Sequence, residues 1–395
     1  MKSTIKRQAK KLHDQVIQWR RHMHAHPELS FVEYETSQFI ASVLDELGVS
    51  YTDGWAKTGI VAIIKGKNPK KKVVALRADI DALPIVEKNK LSYKSKNEGV
   101  MHACGHDVHT ANMLGAAAIL QGLKEKFEGT VKIIFQPGEE KLPGGASLMI
   151  KEGVLKNPKP DLIMALHVHP PLEVGKVGFR PGVYMASADE LYVSVKGKGG
   201  HAAVPQNCID PILISSHLMT ALQQIVSRRA NPNMPTVLSF GKINSVGGAT
   251  NIIPNEVKLE GTFRTFDEAW RKKAHKIMKS TAENLAASMG GSCEFKIAKG
   301  YPFLLNNEEL TNEIHHEAKA YMGKENAVSL PIRMTAEDFA FYSHQIPACF
   351  FRLGTGNKKK RITSNVHEDT FNIDEDALLH SIGLTSWLTI QALKM

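Results

Sequence analysis

A chain of 395 residues, 43% of them hydrophobic, exceeds what one core usually serves, so two domains are expected. Its net charge of +10 is scattered: the tightest basic runs, Lys70-Lys71-Lys72 and Lys358-Lys359-Lys360-Arg361, carry no interleaved aromatics, which argues against nucleic acid and keeps small anionic ligands open. No window is apolar enough for a membrane span, residues 1–21 lack the apolar core of a signal peptide, and Cys104, Cys208, Cys293 and Cys349 form no close pair, so a reducing cytoplasm is the expected location.

The chain opens on an amphipathic helix over residues 1–21. Residues 59–64 and 72–77 are short β-branched runs that read as buried strands, and the second leads into Asp79-Ile80-Asp81. Carboxylates at the end of a buried strand need a partner, which a metal ion or a metal-bound histidine would supply, although a turn or helix N-cap would serve for one of the two. The densest stretch follows: Met101-His102-Ala103-Cys104-Gly105-His106-Asp107-Val108-His109-Thr110. Cys104 and His106, separated by one glycine, can both face a cation.

A helix is expected over residues 111–124, then a strand over 130–137 that exits into Gly138-Glu139-Glu140. Adjacent glutamates at a strand exit can divide the work, one binding a cation while the other moves protons. A further helix runs to residue 152, and a strand over 161–166 delivers His167-Val168-His169. Alternating strands and helices imply a largely parallel sheet, whose ligands gather outside the carboxyl ends of its strands. Asp79, Asp81, Cys104, His106, Glu139, Glu140 and His167 all map to that edge.

The pattern changes after Met185. Residues 189–196 alternate as a half-exposed strand, and Gly197-Lys198-Gly199-Gly200-His201 reads as a sharp glycine-rich turn presenting His201 at its tip. Helix 210–229, strands 236–243 and 251–264, helix 267–289 and strand 292–298 complete the order β-α-β-β-α-β of a ferredoxin-like sandwich. An inserted domain over 187–299 therefore divides a discontinuous one, 1–186 with 300–395. Helix 308–322, strand 348–353 and helix 375–393 return to the first domain, with His367 beside acids in the segment between the last two.

The segments Arg77-Ala78-Asp79-Ile80-Asp81-Ala82-Leu83-Pro84, His102-Ala103-Cys104-Gly105-His106-Asp107, Gln136-Pro137-Gly138-Glu139-Glu140, Ala165-Leu166-His167-Val168 and Gly200-His201-Ala202-Ala203-Val204-Pro205 resemble, in order and over nearly the whole chain, the amidohydrolase branch of the M20 metallopeptidases. That resemblance implies an α/β zinc-peptidase-like catalytic domain holding two divalent ions per subunit. Cys104, His106, Glu140, His167 and His367 would be the ligands, Glu139 the general base, and Asp81 the partner that orients a ligand histidine. It further implies homodimerisation through the inserted domain, with His201, Asn251 and Arg264 contacting an N-acyl amino acid across the dimer. Where many members continue with Ala-x-Pro-His, this chain has Pro205-Gln206-Asn207, so its acyl preference stays open.

The chemistry agrees with that assignment. Amide hydrolysis needs an activated water, a carboxylate that takes its proton and passes it to the leaving amine, and donors for the oxyanion. Mixed sulfur, nitrogen and oxygen ligation favours Zn²⁺ while admitting Mn²⁺, Co²⁺ or Ni²⁺. A dipeptidase or exopeptidase of the same chemistry is the alternative, and so is a binding protein with a vestigial site, which the presence of Glu139 and His367 disfavours.

Overall fold

A computed structural model describes residues 1–395, and the chain divides into two compact units. The first comprises Met1–Tyr184, Leu305–Ile332 and Asp338–Met395; the second comprises Met185–Leu304 and Arg333–Glu337.

The first unit opens with helices α1 (Lys2–Ala25) and α2 (Tyr34–Glu46), then strands β1 (Ser50–Trp55), β2 (Gly59–Lys65) and β3 (Val73–Asp79). Helix α3 (His106–Gly122), β4 (Thr130–Gln136), α4 (Gly145–Glu152), β5 (Leu162–Glu173), β6 (Val177–Phe179) and β7 (Gly182–Met185) follow. The second unit holds β8 (Asp189–Lys196), β9 (Gly200–His201), α5 (Pro211–Leu222), β10 (Thr236–Val246), β11 (Ile252–Ile253), β12 (Glu256–Thr265), α6 (Glu268–Ser288) and β13 (Ser292–Lys299). After β14 (Leu304–Asn306) come α7 (Glu308–Met322), β15 (Ala327–Ser329), α8 (Ala340–Ser343), β16 (Ala348–Gly356) and α9 (Asp376–Ala392).

Eight strands form the large sheet in the order β1-β2-β4-β3-β5-β16-β6-β15. Its centre, β4-β3-β5-β16, is parallel, while β1, β2 and the β16–β6 junction pair antiparallel. All seven residues of β3 and all seven of β4 are buried, as expected where both faces of a parallel sheet are covered. Helix α3 is buried almost all round and packs against α1 and α9, so its Ala, Leu, Ile and Met fill a core instead of lining one stripe. Each fully buried Val, Ile or Leu there contributes about 1.5–3 kcal/mol.

The second unit builds a four-stranded antiparallel sheet, β10-β12-β8-β13, with α5 and α6 packed on it. Asp210 caps α5 by accepting from the Ile212 N–H at 2.8 Å, with Pro211 in the first turn, and Asp267 caps α6 by accepting from Trp270 at 2.6 Å. The expected strand over 251–264 is two pieces, β11 and β12, broken at Pro254, which has no N–H for a ladder. The expected helix over 210–229 leaves α-helical geometry after Leu222 and finishes in a π-turn over Ile225–Arg229. Residues 333–337, assigned from the sequence to the first domain, group with the second unit because the Ala186 N–H donates to the carbonyls of Arg333 and Thr335.

Candidate functional site

The carboxyl edge of the large sheet carries the acidic and imidazole side chains. β3 ends at Asp79 with Asp81 two residues on, β4 runs into the Gly138-Glu139-Glu140 turn, β5 carries His167, and α3 starts at His106. That helix begins five residues before the expected position. Its entry is Gly105 at φ +83°, where an added Cβ would lie 2.6 Å from Cγ2 of Val168. Only glycine meets both demands, and it lets Cys104 and His106 turn toward one space. His367 arrives from the other end of the chain at φ +67°, rare for a residue with a Cβ, and its N–H donates to the Ala103 carbonyl at 2.8 Å. That bond ties the His367 segment to the Cys104 loop.

The five expected ligands come together. Sγ of Cys104 lies 3.4 Å from Nε2 of His167, Nε2 of His367 lies 3.3 Å from Oε1 of Glu140, and Nε2 of His106 is 3.9 Å from the same oxygen. Cys104, His106 and His167 present donor atoms within 4.8 Å of one another, as do Cys104, Glu140 and His367, and His106, Glu139 and Glu140. Nε2 of His106 and Oε1 of Glu140 are buried without a hydrogen-bond partner. A cation satisfies both, and a set of one thiolate, three imidazoles and a carboxylate fits a divalent transition ion, so the residues fit a metal.

The electrostatics point the same way. Burial, then the neighbouring Glu140, Glu139 and Asp79, push the Cys104 thiol well above its ordinary range. Positive charge in their midst is what reverses that. Burial opposes a charge on His106, but Asp79, Asp81 and Glu140 outweigh it and raise that imidazole to about 10. Burial and the positive charge of Arg352 hold His167 well below its usual value, leaving a neutral ring with a lone pair to offer.

A layer of buried polar groups holds these side chains. Asp81, proposed to orient a histidine, meets Nδ1 of His106 at 3.1 Å and accepts from Oγ of Ser30 at 2.7 Å and from the Glu140 N–H at 3.0 Å. Glu139 is 7% exposed, and its Oε1 accepts from the Asp338 N–H at 3.2 Å. Asp338 is fixed in turn by Nη2 of Arg77 at 2.6 Å, Nε2 of Gln136 at 2.8 Å and the Ala146 N–H at 3.0 Å. Glu33 accepts from the Gly138 N–H at 2.9 Å and from the Thr58 hydroxyl at 2.6 Å; burial, reinforced by Asp81, raises its carboxyl to about 7. Behind α3, Asp107 accepts from Nε of Arg20 at 2.8 Å and pairs with Nδ1 of His24 at 2.8 Å; burial works against its charge, yet Arg20 and His24 keep it well below the carboxylate range.

In the second unit, His201 and Asn251 are exposed neighbours on the β9–β11 ribbon: His201 pairs with Ile252, and the Ala202 N–H donates to the Asn251 carbonyl. The segment before His201 is not the free turn expected from its glycines. None of Gly197, Gly199 and Gly200 has a positive φ; a Cβ on Gly197 would collide with the Ile209 carbonyl and one on Gly199 would come within 2.6 Å of the Ile253 carbonyl. These glycines serve close packing of backbones. Nδ1 of His201 accepts from the Ala203 N–H at 3.1 Å, which leaves Nε2 pointing outward. Arg264, half-buried on β12, donates from Nη1 to the Met334 carbonyl at 3.2 Å, and burial lowers its guanidinium from the ordinary value.

Residues 75–385 match the family described as peptidase family M20/M25/M40. The chain belongs to that family. It is a metal-dependent hydrolase of linear amides, of the family's amidohydrolase branch. Among its relatives, an N-acetyl-L-cysteine deacetylase of Bacillus subtilis is 41% identical over 369 residues, covering 93% of this chain and 86% of the relative. Thermostable carboxypeptidase 2 of Saccharolobus solfataricus is 39% identical over 377 residues, 95% of this chain and 94% of that one. The crystal structure of the YxeP protein of Bacillus subtilis, described as a dinuclear metal binding peptidase from M20 family, superposes with a TM-score of 0.81 at 35% identity, covering 98% of this chain and 99% of that one.

Proposed function

We propose that the enzyme hydrolyses N-acyl amino acids of the acetyl or benzoyl type, using two divalent cations held by Cys104, His106, Glu140, His167 and His367. The observation that carries this reading is the convergence of those five side chains, two of whose atoms, His106 Nε2 and Glu140 Oε1, are buried without a hydrogen bond, with Glu139 beside them. Zn²⁺ suits the mixed donor set, with Mn²⁺, Co²⁺ and Ni²⁺ as alternatives. Bound there, the cations supply Lewis acidity to the scissile carbonyl and to the attacking water.

Glu139 takes the water's proton and passes it to the leaving amine. The Asp338 N–H accounts for Oε1 of Glu139, so its carboxylate is held at a fixed angle while the proton moves. Asp81 fixes the plane of His106. His201 donates from Nε2 to the oxyanion, and Asn251 and Arg264 take up the carboxylate end of the substrate. The second unit, with its antiparallel order β10-β12-β8-β13, is read as a ferredoxin-like dimerisation domain, and the homodimer supplies His201 in trans. Four free cysteines accord with a cytoplasmic enzyme.

The relative that is a carboxypeptidase, at 39% identity, favours a second reading in which the same chemistry acts on peptides. Assay of the purified protein on N-acetyl, N-benzoyl and dipeptide substrates, with metal content measured on the same sample, separates the two. Turnover of acyl substrates at near-stoichiometric metal supports the first; turnover of dipeptides alone replaces it with the second.

A further inference from the structure

His109 lies one helical turn after His106, is 1% exposed, and is grouped with Asp79 and His106 as a possible metal ligand. Its hydrogen bonds rule that out. Nε2 accepts from the Val168 N–H at 2.9 Å, and Nδ1 faces Oδ1 of Asp79 at 2.5 Å. An imidazole nitrogen that accepts an N–H bond has its lone pair engaged, so the ring proton sits on Nδ1, toward the carboxylate. Neither nitrogen is left for a cation.

What the ring does instead follows from where β5 runs. The pairing of β5 with β3 ends at Arg77 and Ala165, so the amide of Val168, three residues further on, has no β3 partner. Val168 is 1% exposed, and a buried amide must find an acceptor. Nε2 of His109 is that acceptor. The carbonyl of the same residue accepts from Nδ1 of His167 at 2.8 Å, which leaves Nε2 of His167 facing Sγ of Cys104. The two histidine rings are in tilted contact, with centroids 4.6 Å apart and planes at 60°.

We infer that His109 is a positioning residue: it clamps the His167–Val168 peptide from one side, and through it aims the His167 imidazole at the cation site. The clamp is anchored in charge, since Asp79 takes Nη1 of Arg77 at 2.7 Å and its carbonyl accepts from the Thr110 hydroxyl at 3.0 Å. The inference rests on the reading of His167 as a ligand given above.

Two amide substitutions separate the two ends of the ring. In His109→Gln the longer side chain brings a carbonyl oxygen to the place of Nε2 and can accept from Val168; in His109→Asn the shorter amide reaches Asp79 but not Val168. Cobalt titration of the metal-free proteins, followed by the ligand-field bands and the thiolate-to-cobalt charge-transfer band of Cys104, reads the site without any substrate. The Asn variant is expected to bind cobalt about 10–100-fold more weakly, with shifted bands, while the Gln variant stays within severalfold of the parent. Equal affinities and unchanged spectra in both variants, or the reverse order, overturn the positioning role. A residue that only fills the core lowers the melting temperature of both metal-free variants and leaves the bound spectrum alone, so melting curves on the same samples complete the test. A parent protein that binds no cobalt overturns the metal reading itself, an outcome distinct from a parent that binds and variants that match it.

Discussion

The edge of the large sheet and the β9–β11 ribbon both present histidines, but they hold them differently. Cys104, His106 and His167 are at most 7% exposed, and the two histidines are gripped by a second layer: Asp81 on His106, and the Val168 backbone on His167. His201 and Asn251 are exposed, and His201 is steadied by one N–H from its own turn. A donor set locked in advance needs no rearrangement when its ion arrives, which is what affinity for a metal requires. A group that meets a changing charge for part of the reaction can be left at the surface, fixed by whatever it touches.

That contrast can be broken at three places. Glu139→Gln keeps the volume and the Asp338 bond but cannot take a proton, so turnover should fall by about 10²–10⁴-fold with metal content unchanged; a rate within a factor of a few of the parent moves the base elsewhere. On the proposal that His201 donates to the oxyanion, His201→Ala should cost about 10²-fold in kcat/KM, with metal content and melting temperature intact, because nothing buried is disturbed. Loss of metal or of fold in that variant would erase the distinction between the two regions. Mixing it with Glu139→Gln sharpens the point: if His201 acts in trans, exchanging subunits recover partial activity, and a dead mixture after proven exchange places His201 in its own chain.

The last prediction concerns the buried layer alone and reads stability instead of rate. Glu33, raised to about 7 from an unfolded value of 4.5, binds its proton more tightly in the folded protein. Its contribution is therefore present at low pH and lost as pH rises from about 4.5 through 7, by on the order of 3 kcal/mol. Glu33→Gln should remove that loss, so the stability of the variant relative to the parent rises between pH 5 and pH 8 in denaturant titrations. A difference that stays flat across that range shows that Glu33 is already ionised throughout.

Much of this was legible in the chain because apolar runs and polar strand ends stand out. β3 and β4 are short and hydrophobic, and Asp79, Glu139 and Glu140 sit at or just after their ends; His167 lies in mid-strand, because β5 runs on to Glu173 past the expected end at residue 166, and Cys104 and His106 lead into α3. The start of α3 was not legible, since His106, Asp107 and His109 look like loop chemistry and the helix signal begins with Ala111. The supporting residues were harder still: Glu33, Arg20, His24 and Asp338 are joined to the site through pairs separated by 83 to 261 positions. One clue was available. Arg77 is a charged residue inside a seven-residue buried strand, and an arginine in such a place must have carboxylates to meet, here Asp79 and Asp338.

The short return of residues 333–337 to the second unit has a bearing on modularity. Four chain crossings, not two, join the units, because the polypeptide leaves the second unit at Leu304 and revisits it before Asp338. The second unit is consequently no cassette that could be lifted out by cutting at its two obvious borders. A fragment spanning residues 185–304 would strip Arg264 of the Met334 carbonyl and Ala186 of its two acceptors, Arg333 and Thr335. A grafting experiment that omits that distant pentapeptide should yield a unit whose half-buried guanidinium has lost an acceptor.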